Sequence, residues 1–137
     1  MSKKEIEISF SEVDSLRIVW HGHFIKYFEI GREAFGKEYG LSYLQVYDLG
    51  FFMPIVKVNC DYKRPIKYGD IVTVETAYQD SPAAKIKFNY TIRLNGSKDI
   101  VAIGNTEQVF LDTNQQLQIT MPPFFEEWKK NHGLKAK

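Results

Sequence analysis

One stretch of this chain, and one long stretch only, carries a helical hydrophobic period, and that constrains the fold more than any other feature. From about His21 to Tyr39 the spacing is three or four: Phe24, Phe28, Gly31 and Phe35, with Tyr27 and Ala34 beside them. This is one face of an α-helix, and Gly40 is its stop signal. Ser42-Tyr43-Leu44-Gln45 reads as a capping box opening a short helix that ends near Gly50. Most of the remainder alternates with period two, the mark of half-buried strands. Ile6, Ile8 and Phe10 predict a strand over residues 5–10, before a non-periodic stretch up to Trp20. Val56, Val58, Cys60 and Tyr62 predict another, with Cys60 on its buried face. Val72, Val74, Thr76 and Tyr78 begin a third. Ile86, Phe88, Tyr90, Ile92 and Leu94 form the cleanest run, set against Lys85, Lys87, Asn89, Thr91 and Arg93. Asp80-Ser81-Pro82 and Asn95-Gly96 are turns, residues 99–111 a last strand, and Met121-Pro122-Pro123 leads a terminal helix through Trp128. The class is α+β: an antiparallel sheet of about five strands wrapped around one long central helix. Gly22 and Gly31 let neighbours approach that helix closely. Such a sheet has exposed edges, and a second subunit covers them at least cost, so a homodimer or homotetramer is expected.

With 137 residues the chain makes one domain, residues 1–137. Eighteen Lys and Arg against 17 Asp and Glu leave a net charge of +1. Phosphate neutralisation supplies most nucleic-acid affinity, so this balance disfavours a nucleic-acid partner. No apolar run approaches the ~20 residues of a membrane span, and the charged start at Met1-Ser2-Lys3-Lys4 has no signal-peptide core. A cytoplasmic protein is expected. Cys60 is the single cysteine, which excludes an internal disulfide. Ten Phe and eight Tyr exceed what a core of this size needs, and suggest that some rings line a cavity.

Chemistry concentrates where the chain enters the long helix. A helix N-terminus offers unpaired N–H groups and a positive dipole end, suited to an oxyanion. Asp14 lies seven residues before His21 on the loop leading there. Taken alone, Asp14 reads first as a cap and His21 as a structural polar residue. His21 and His23 do not form a metal pair, because alternate helix positions face different sides, and no third ligand is evident.

The whole segment from Glu12 to Arg32 resembles the signature of the 4-hydroxybenzoyl-CoA thioesterase family, of hotdog fold. The closest branch is the Tol-Pal-associated, YbgC-type acyl-CoA thioesterases. Asp14, Val19, His21, Phe24, Tyr27, Phe28, Glu29 and Arg32 match that pattern without a gap. A second block, Asp61-Tyr62-Lys63-Arg64-Pro65-Ile66-Lys67-Tyr68-Gly69-Asp70, resembles the family's strand-to-turn step. The resemblance implies that Asp14 is the catalytic carboxylate, as nucleophile or as general base activating water. It implies that the His21 ring orients the carboxylate or water while its backbone N–H polarises a thioester carbonyl. Arg17, Trp20, Gly22 and Phe24 are then expected against the acyl thioester. Two positions depart from the pattern: Leu16-Arg17 stands where the family keeps a glycine loop, and Phe10 where YbgC-type relatives tend to have tyrosine. The acyl preference is therefore not carried over.

Other residues admit two readings each. Glu29 and Arg32, at i and i+3, form an ion pair or a helix-to-sheet tie; the alternative makes Glu29 a second catalytic carboxylate. Lys63, Arg64 and Lys67 receive CoA phosphates or form a solvated turn. Lys85, Lys87 and Arg93 read as a wet strand face, and His132 as exposed. The expected activity is hydrolysis of an acyl-CoA or acyl-carrier-protein thioester, with no cofactor beyond the CoA of the substrate. The alternatives are a non-catalytic acyl-binding module and, on the same fold, a hydratase or dehydratase. The latter would need a histidine in a Pro- and Gly-rich loop, and none lies between Asp14 and Phe24.

Overall fold

A computed structural model describes residues 1–132. In chain order the elements are β1 (Ser2–Glu7), α1 (His23–Tyr39), α2 (Tyr43–Asp48), β2 (Phe51–Phe52), β3 (Ile55–Tyr62), β4 (Ile71–Gln79), β5 (Lys85–Leu94), β6 (Ile100–Val109), β7 (Leu111–Asp112) and α3 (Pro123–Asn131). Five strands form one antiparallel sheet in the order β1-β4-β5-β6-β3, while β2 and β7 pair separately. The period-two runs decide the central strands. Val72, Val74 and Thr76 of β4 are buried, as are Ile86, Phe88, Tyr90 and Ile92 of β5. All lie on the face that α1 covers, because the β4–β5 register pairs Val74 with Ile92 and Thr76 with Tyr90.

Helix α1 has 17 residues and buries Phe24, Tyr27, Phe28, Gly31, Phe35 and Gly36. It sits very close to the sheet. A Cβ at Gly31 would come within 2.6 Å of Val74 and Thr76, and one at Gly104 of β6 would collide with the Phe28 ring. Gly40, at φ 74°, ends the helix, with its N–H on the Gly36 carbonyl. The expected terminal helix, α3, covers the far end of the same face. Its Trp128 and Phe125 stack at 5.6 Å and meet Phe35, Tyr78 and Phe110. The aromatic surplus is therefore spent largely on a packed cluster rather than on a cavity lining.

Several local expectations change. The first strand ends at Glu7, three residues early, because Ser9 turns the chain: its N–H and hydroxyl both donate to Glu12 Oε1 at 2.9 Å. Phe10 leaves the strand for a 3-10 turn and is 75% exposed, edge-on to Tyr68. Ser42 and Gln45 do form the capping box of α2. The strand carrying Cys60 is different from expectation. It is an edge strand, its Val56, Val58 and Tyr62 are exposed, and Cys60 is only half-buried. Those residues have the pattern of a core face, but α1 meets it only toward Cys60 and Tyr62, which touches Phe24, and leaves Val56 and Val58 uncovered.

Candidate active site

The non-periodic residues 11–20 are a small hairpin. Val13 bridges Val19, the Asp14 N–H donates to the Ile18 carbonyl at 2.9 Å, and the Trp20 N–H to the Glu12 carbonyl at 3.1 Å. Asp14 Oδ1 accepts the Leu16 N–H at 2.8 Å, which closes the turn as an Asx turn. Arg17 then takes φ 66°, a left-handed conformation that glycine adopts without strain. The departure Leu16-Arg17 thus keeps the backbone of a glycine loop while adding a side chain. The hairpin is stitched to the strand-to-turn segment by the Ile18–Lys67 bridge and by Val19 N–H on the Ile66 carbonyl at 2.7 Å.

Glu12 anchors the hairpin from beneath, and sequence reasoning missed it as a functional support. It is buried, and that burial alone would raise its pKa. The Ser9 N–H, the Tyr27 hydroxyl, the Ser9 hydroxyl and the charge of Lys26 together hold it below the ordinary carboxylate range. Tyr27 lies fully buried beside it, with its own pKa driven up by burial and then by Glu12. The only sequence signal was an acid at a capping-box distance from Ser9.

The helix begins at His23 with Gly22 at its N-cap, two residues later than the spacing predicts. The His23 N–H donates back to the Trp20 carbonyl and Phe24 N–H to that of His21. The N–H groups of His21 and Gly22 meet no acceptor among the described residues. Trp20 folds its ring over Gly22, where a Cβ would collide with it, and lies 5.0 Å from the His21 ring.

Next to these free donors lies a cleft of about 350 Å³ lined by Ile18, Val19, His21, Phe24, Tyr62, Lys63, Arg64 and Pro65. Four expected site residues, His21, Phe24, Lys63 and Arg64, therefore meet around one opening, whereas Trp20 and Gly22 are not among its lining. Tyr62 joins them although the sequence did not single it out for the site. Its hydroxyl donates to the His21 carbonyl at 2.8 Å, and its ring packs edge-on to Phe24 at 4.9 Å. Arg64 is already held by Asp99 at 2.8 Å, whereas Lys63 has no carboxylate partner among the described residues.

Asp14 and Arg17 are not in the cleft lining. Asp14 sits opposite Ile18, and His21 lies three residues farther, roughly 10 Å along the hairpin. The His21 ring makes no hydrogen bond to Asp14 and packs on Trp20 and Tyr62 instead, so it does not orient that carboxylate within the chain. Glu29 and Arg32 form no ion pair. Arg32 crosses to the sheet and donates to the Tyr90 hydroxyl at 3.2 Å, the helix-to-sheet tie. Both line a separate cavity of about 280 Å³ along the middle of α1. Lys85 and Arg93 reach Glu107 and Glu75 on the outer face of the sheet. His132 is exposed at the end of α3, its Nδ1 2.8 Å from the Trp128 carbonyl. No group of three or more metal-ligating side chains is present among the described residues, and no helix there is long and apolar enough to cross a membrane.

The family profile described as "Thioesterase-like superfamily" matches residues 8–129. The chain belongs to that superfamily. A Bacillus subtilis (strain 168) protein, provisionally named acyl-CoA thioesterase YneP, is 30% identical over 128 residues, spanning 93% of this chain and 92% of its own. A 1,4-dihydroxy-2-naphthoyl-CoA hydrolase from Synechococcus (strain CC9605) is 22% identical over 93% of this chain and 88% of its own. The crystal structure of a DHNA-CoA thioesterase from Staphylococcus aureus superposes with a TM-score of 0.84 at 24% identity, covering 96% of this chain and 91% of that one. The fold is thus the hotdog thioesterase fold with a five-stranded antiparallel sheet, and the family-level activity is acyl-CoA thioester hydrolysis.

Proposed function

We propose that this chain hydrolyses an acyl-CoA thioester to a free acid and CoA, with Asp14 as the nucleophile or general base and the start of α1 as the oxyanion site. One observation carries the reading: the backbone N–H of His21, a residue that lines an apolar cleft, has no acceptor among the described residues. A thioester carbonyl seated there would place its oxygen on a preorganised donor, which strengthens as negative charge develops on attack. The separation of Asp14 from the helix start fits this role. An attack distance of ~3–3.5 Å, the carbonyl bond and a hydrogen bond of ~3 Å fill most of the gap between carboxylate and N–H. The thiolate leaves readily, so the step needs little acid assistance. By its residues from Asp14 to Arg32 the chain is nearest the YbgC-type branch.

Phe24 and Trp20 supply apolar surface for the acyl group, with Gly22 giving the close approach, and Arg17 reaches from the hairpin tip. Lys63 is the free cation for a CoA phosphate, and Arg64 joins it by exchanging Asp99 for phosphate. No cofactor takes part. The working form is a homodimer, or a tetramer built from it, in the cytoplasm. The support is β3, an unpaired edge whose core-patterned Val56, Val58 and Tyr62 are left exposed.

A screen of short, long and aromatic acyl-CoAs, read by released thiol, tests the activity; no turnover of any of them sinks the reading. Light scattering of the wild type and of Val58→Lys tests the assembly. The expected outcome is a dimer or larger that the charge dissociates, and a wild-type monomer with full activity excludes it.

A further inference from the structure

Large apolar side chains lie exposed in a continuous strip at the end of the molecule remote from the cleft. Helix α2 sinks only Val46 and turns Tyr43, Leu44 and Tyr47 outward, each at least half exposed. Tyr43 and Tyr47 are one turn apart with their rings stacked, and Tyr47 packs edge-on against Phe52 of β2 at 5.4 Å. Phe52 stands opposite Leu111 of β7, and Leu111 bridges Leu117, which is also more than half exposed. Directly opposed residues of antiparallel strands share a face, so these three side chains continue the line that α2 begins. With strands about 4.8 Å apart, the strip is roughly 20 Å long. Exposed apolar residues scattered singly are ordinary, whereas a contiguous run of them marks an interaction site. Aromatic residues, tyrosine among them, are enriched in the buried centres of protein interfaces.

The charge around the strip selects its occupant. The two segments that build it carry no lysine or arginine, one from Glu38 to Val56 and the other from Asp99 to Trp128. Asp48 ends α2, Asp112 follows Leu111 in β7, and Glu127 of α3 shares a groove with Leu49 just past α2. Neither Asp48 nor Glu127 has a cationic partner among the described residues. An anionic lipid surface or an acidic protein is repelled by such a rim. A second copy meeting this one strip to strip would set acid against acid. What the strip complements is an apolar ridge flanked by cations.

We infer that this strip docks a partner protein through a segment that is apolar along one face and flanked by lysine or arginine. The inference goes beyond thioester hydrolysis and does not depend on it. Helix α1 has 17 residues and so spans about 26 Å between the cleft and the start of α2. The cleft therefore stays open while the strip is filled.

The probe is a peptide of about 14 residues, made of leucine and lysine spaced to give one apolar helical face; its helical length of about 21 Å matches the strip. Its control carries glutamate in place of lysine. In the nitrogen–proton NMR spectrum of the full chain, the lysine peptide should shift amides of residues 43–49 and 111–117. The glutamate peptide should bind at least about tenfold more weakly, and added salt should narrow that difference. Tyr47→Ser with Leu117→Ser should weaken the lysine peptide by about tenfold or more, the scale of lost interface anchors. Turnover of an acyl-CoA should hold. Asp48→Lys leaves the apolar strip intact, so it keeps the test open if the double variant does not fold. It should weaken the lysine peptide and strengthen the glutamate one. Equal affinity for the two peptides, or shifts confined to other surfaces, overturns the inference. So does sedimentation in which Leu44→Glu splits the native assembly into smaller units, because a second copy then occupies the strip.

Discussion

The two ends of helix α1 are built for opposite purposes. Its C-terminal end is capped and packed. Gly40 caps the backbone, the Trp128 indole donates to the Tyr39 carbonyl at 2.7 Å, and Phe35, Tyr39, Phe88 and Trp128 form one aromatic cluster. Lys129 is wholly buried there, donating to the Ser81 carbonyl at 3.1 Å and paired with Asp80 at 2.6 Å. That carboxylate is held below its ordinary pKa first by its hydrogen bond from Lys129, despite some burial. At the N-terminal end two N–H groups are idle, Trp20 is half exposed and a cleft stands open. One end is satisfied internally, and the other keeps donors without an acceptor among the described residues. Stability and activity should therefore separate along a single helix.

The largest expected effect breaks the closed end. Trp128→Ala should lower stability by about 3–5 kcal/mol, the range for deleting a buried tryptophan. Denaturant unfolding checks this, and the kcat of the folded fraction should stay within about twofold. A large loss of kcat without loss of stability would show that the two ends are coupled.

At the open end Asp14→Asn should lower kcat by about a hundredfold or more, the scale for losing a positioned general base. Asparagine still accepts the Leu16 N–H, so the Asx turn and the melting temperature should hold. Binding of a non-hydrolysable acyl-CoA analogue should survive. Wild-type turnover in a folded Asp14→Asn protein would reduce this carboxylate to a turn residue.

A smaller effect sharpens the picture of the cleft. Lys63→Ala together with Arg64→Ala should raise KM for an acyl-CoA by about tenfold, as expected for losing charge-assisted phosphate contacts. A small thioester without the nucleotide should be unaffected. Lys63→Ala alone should account for most of the change, because Arg64 already has Asp99. Equal losses on both substrates would point to a disturbed turn.

The smallest effect concerns the hairpin. Arg17→Gly should stabilise the protein by about 0.5–1 kcal/mol by relieving a left-handed non-glycine residue, part of it offset by added chain entropy. If acyl-CoA affinity falls at the same time, Arg17 touches substrate; if it does not, the side chain only occupies the loop.

How much was legible in advance depended on the range of the interactions. The alternation in β4 and β5 reported their register truthfully, because those strands are central and the covered face is the one the pattern marks. The same alternation in β3 held at Cys60, which packs against the core, but misled at Val56 and Val58, since apolar period states which face wants cover and not whether α1 is long enough to supply it. Glu29 and Arg32 have ion-pair spacing, yet Arg32 turned to Tyr90, a partner 58 residues away that no local rule can foresee. Phe10 looked like a strand residue until the Ser9–Glu12 contact bent the chain away.

The sequence by itself determined the α+β class, the helix with its glycine stop and the capping box of α2. These depend on period, on φ preferences and on hydrogen bonds spanning a few residues, all of which are local. Only the tertiary structure decided that Tyr62 of β3 grips the His21 carbonyl, that Glu12 lies buried beneath the hairpin, that α3 shares the core face with α1, and that β3 is left uncovered. Each of these joins residues far apart in the chain, and their partners are chosen by which surfaces remain to be buried once the sheet has closed on the helix.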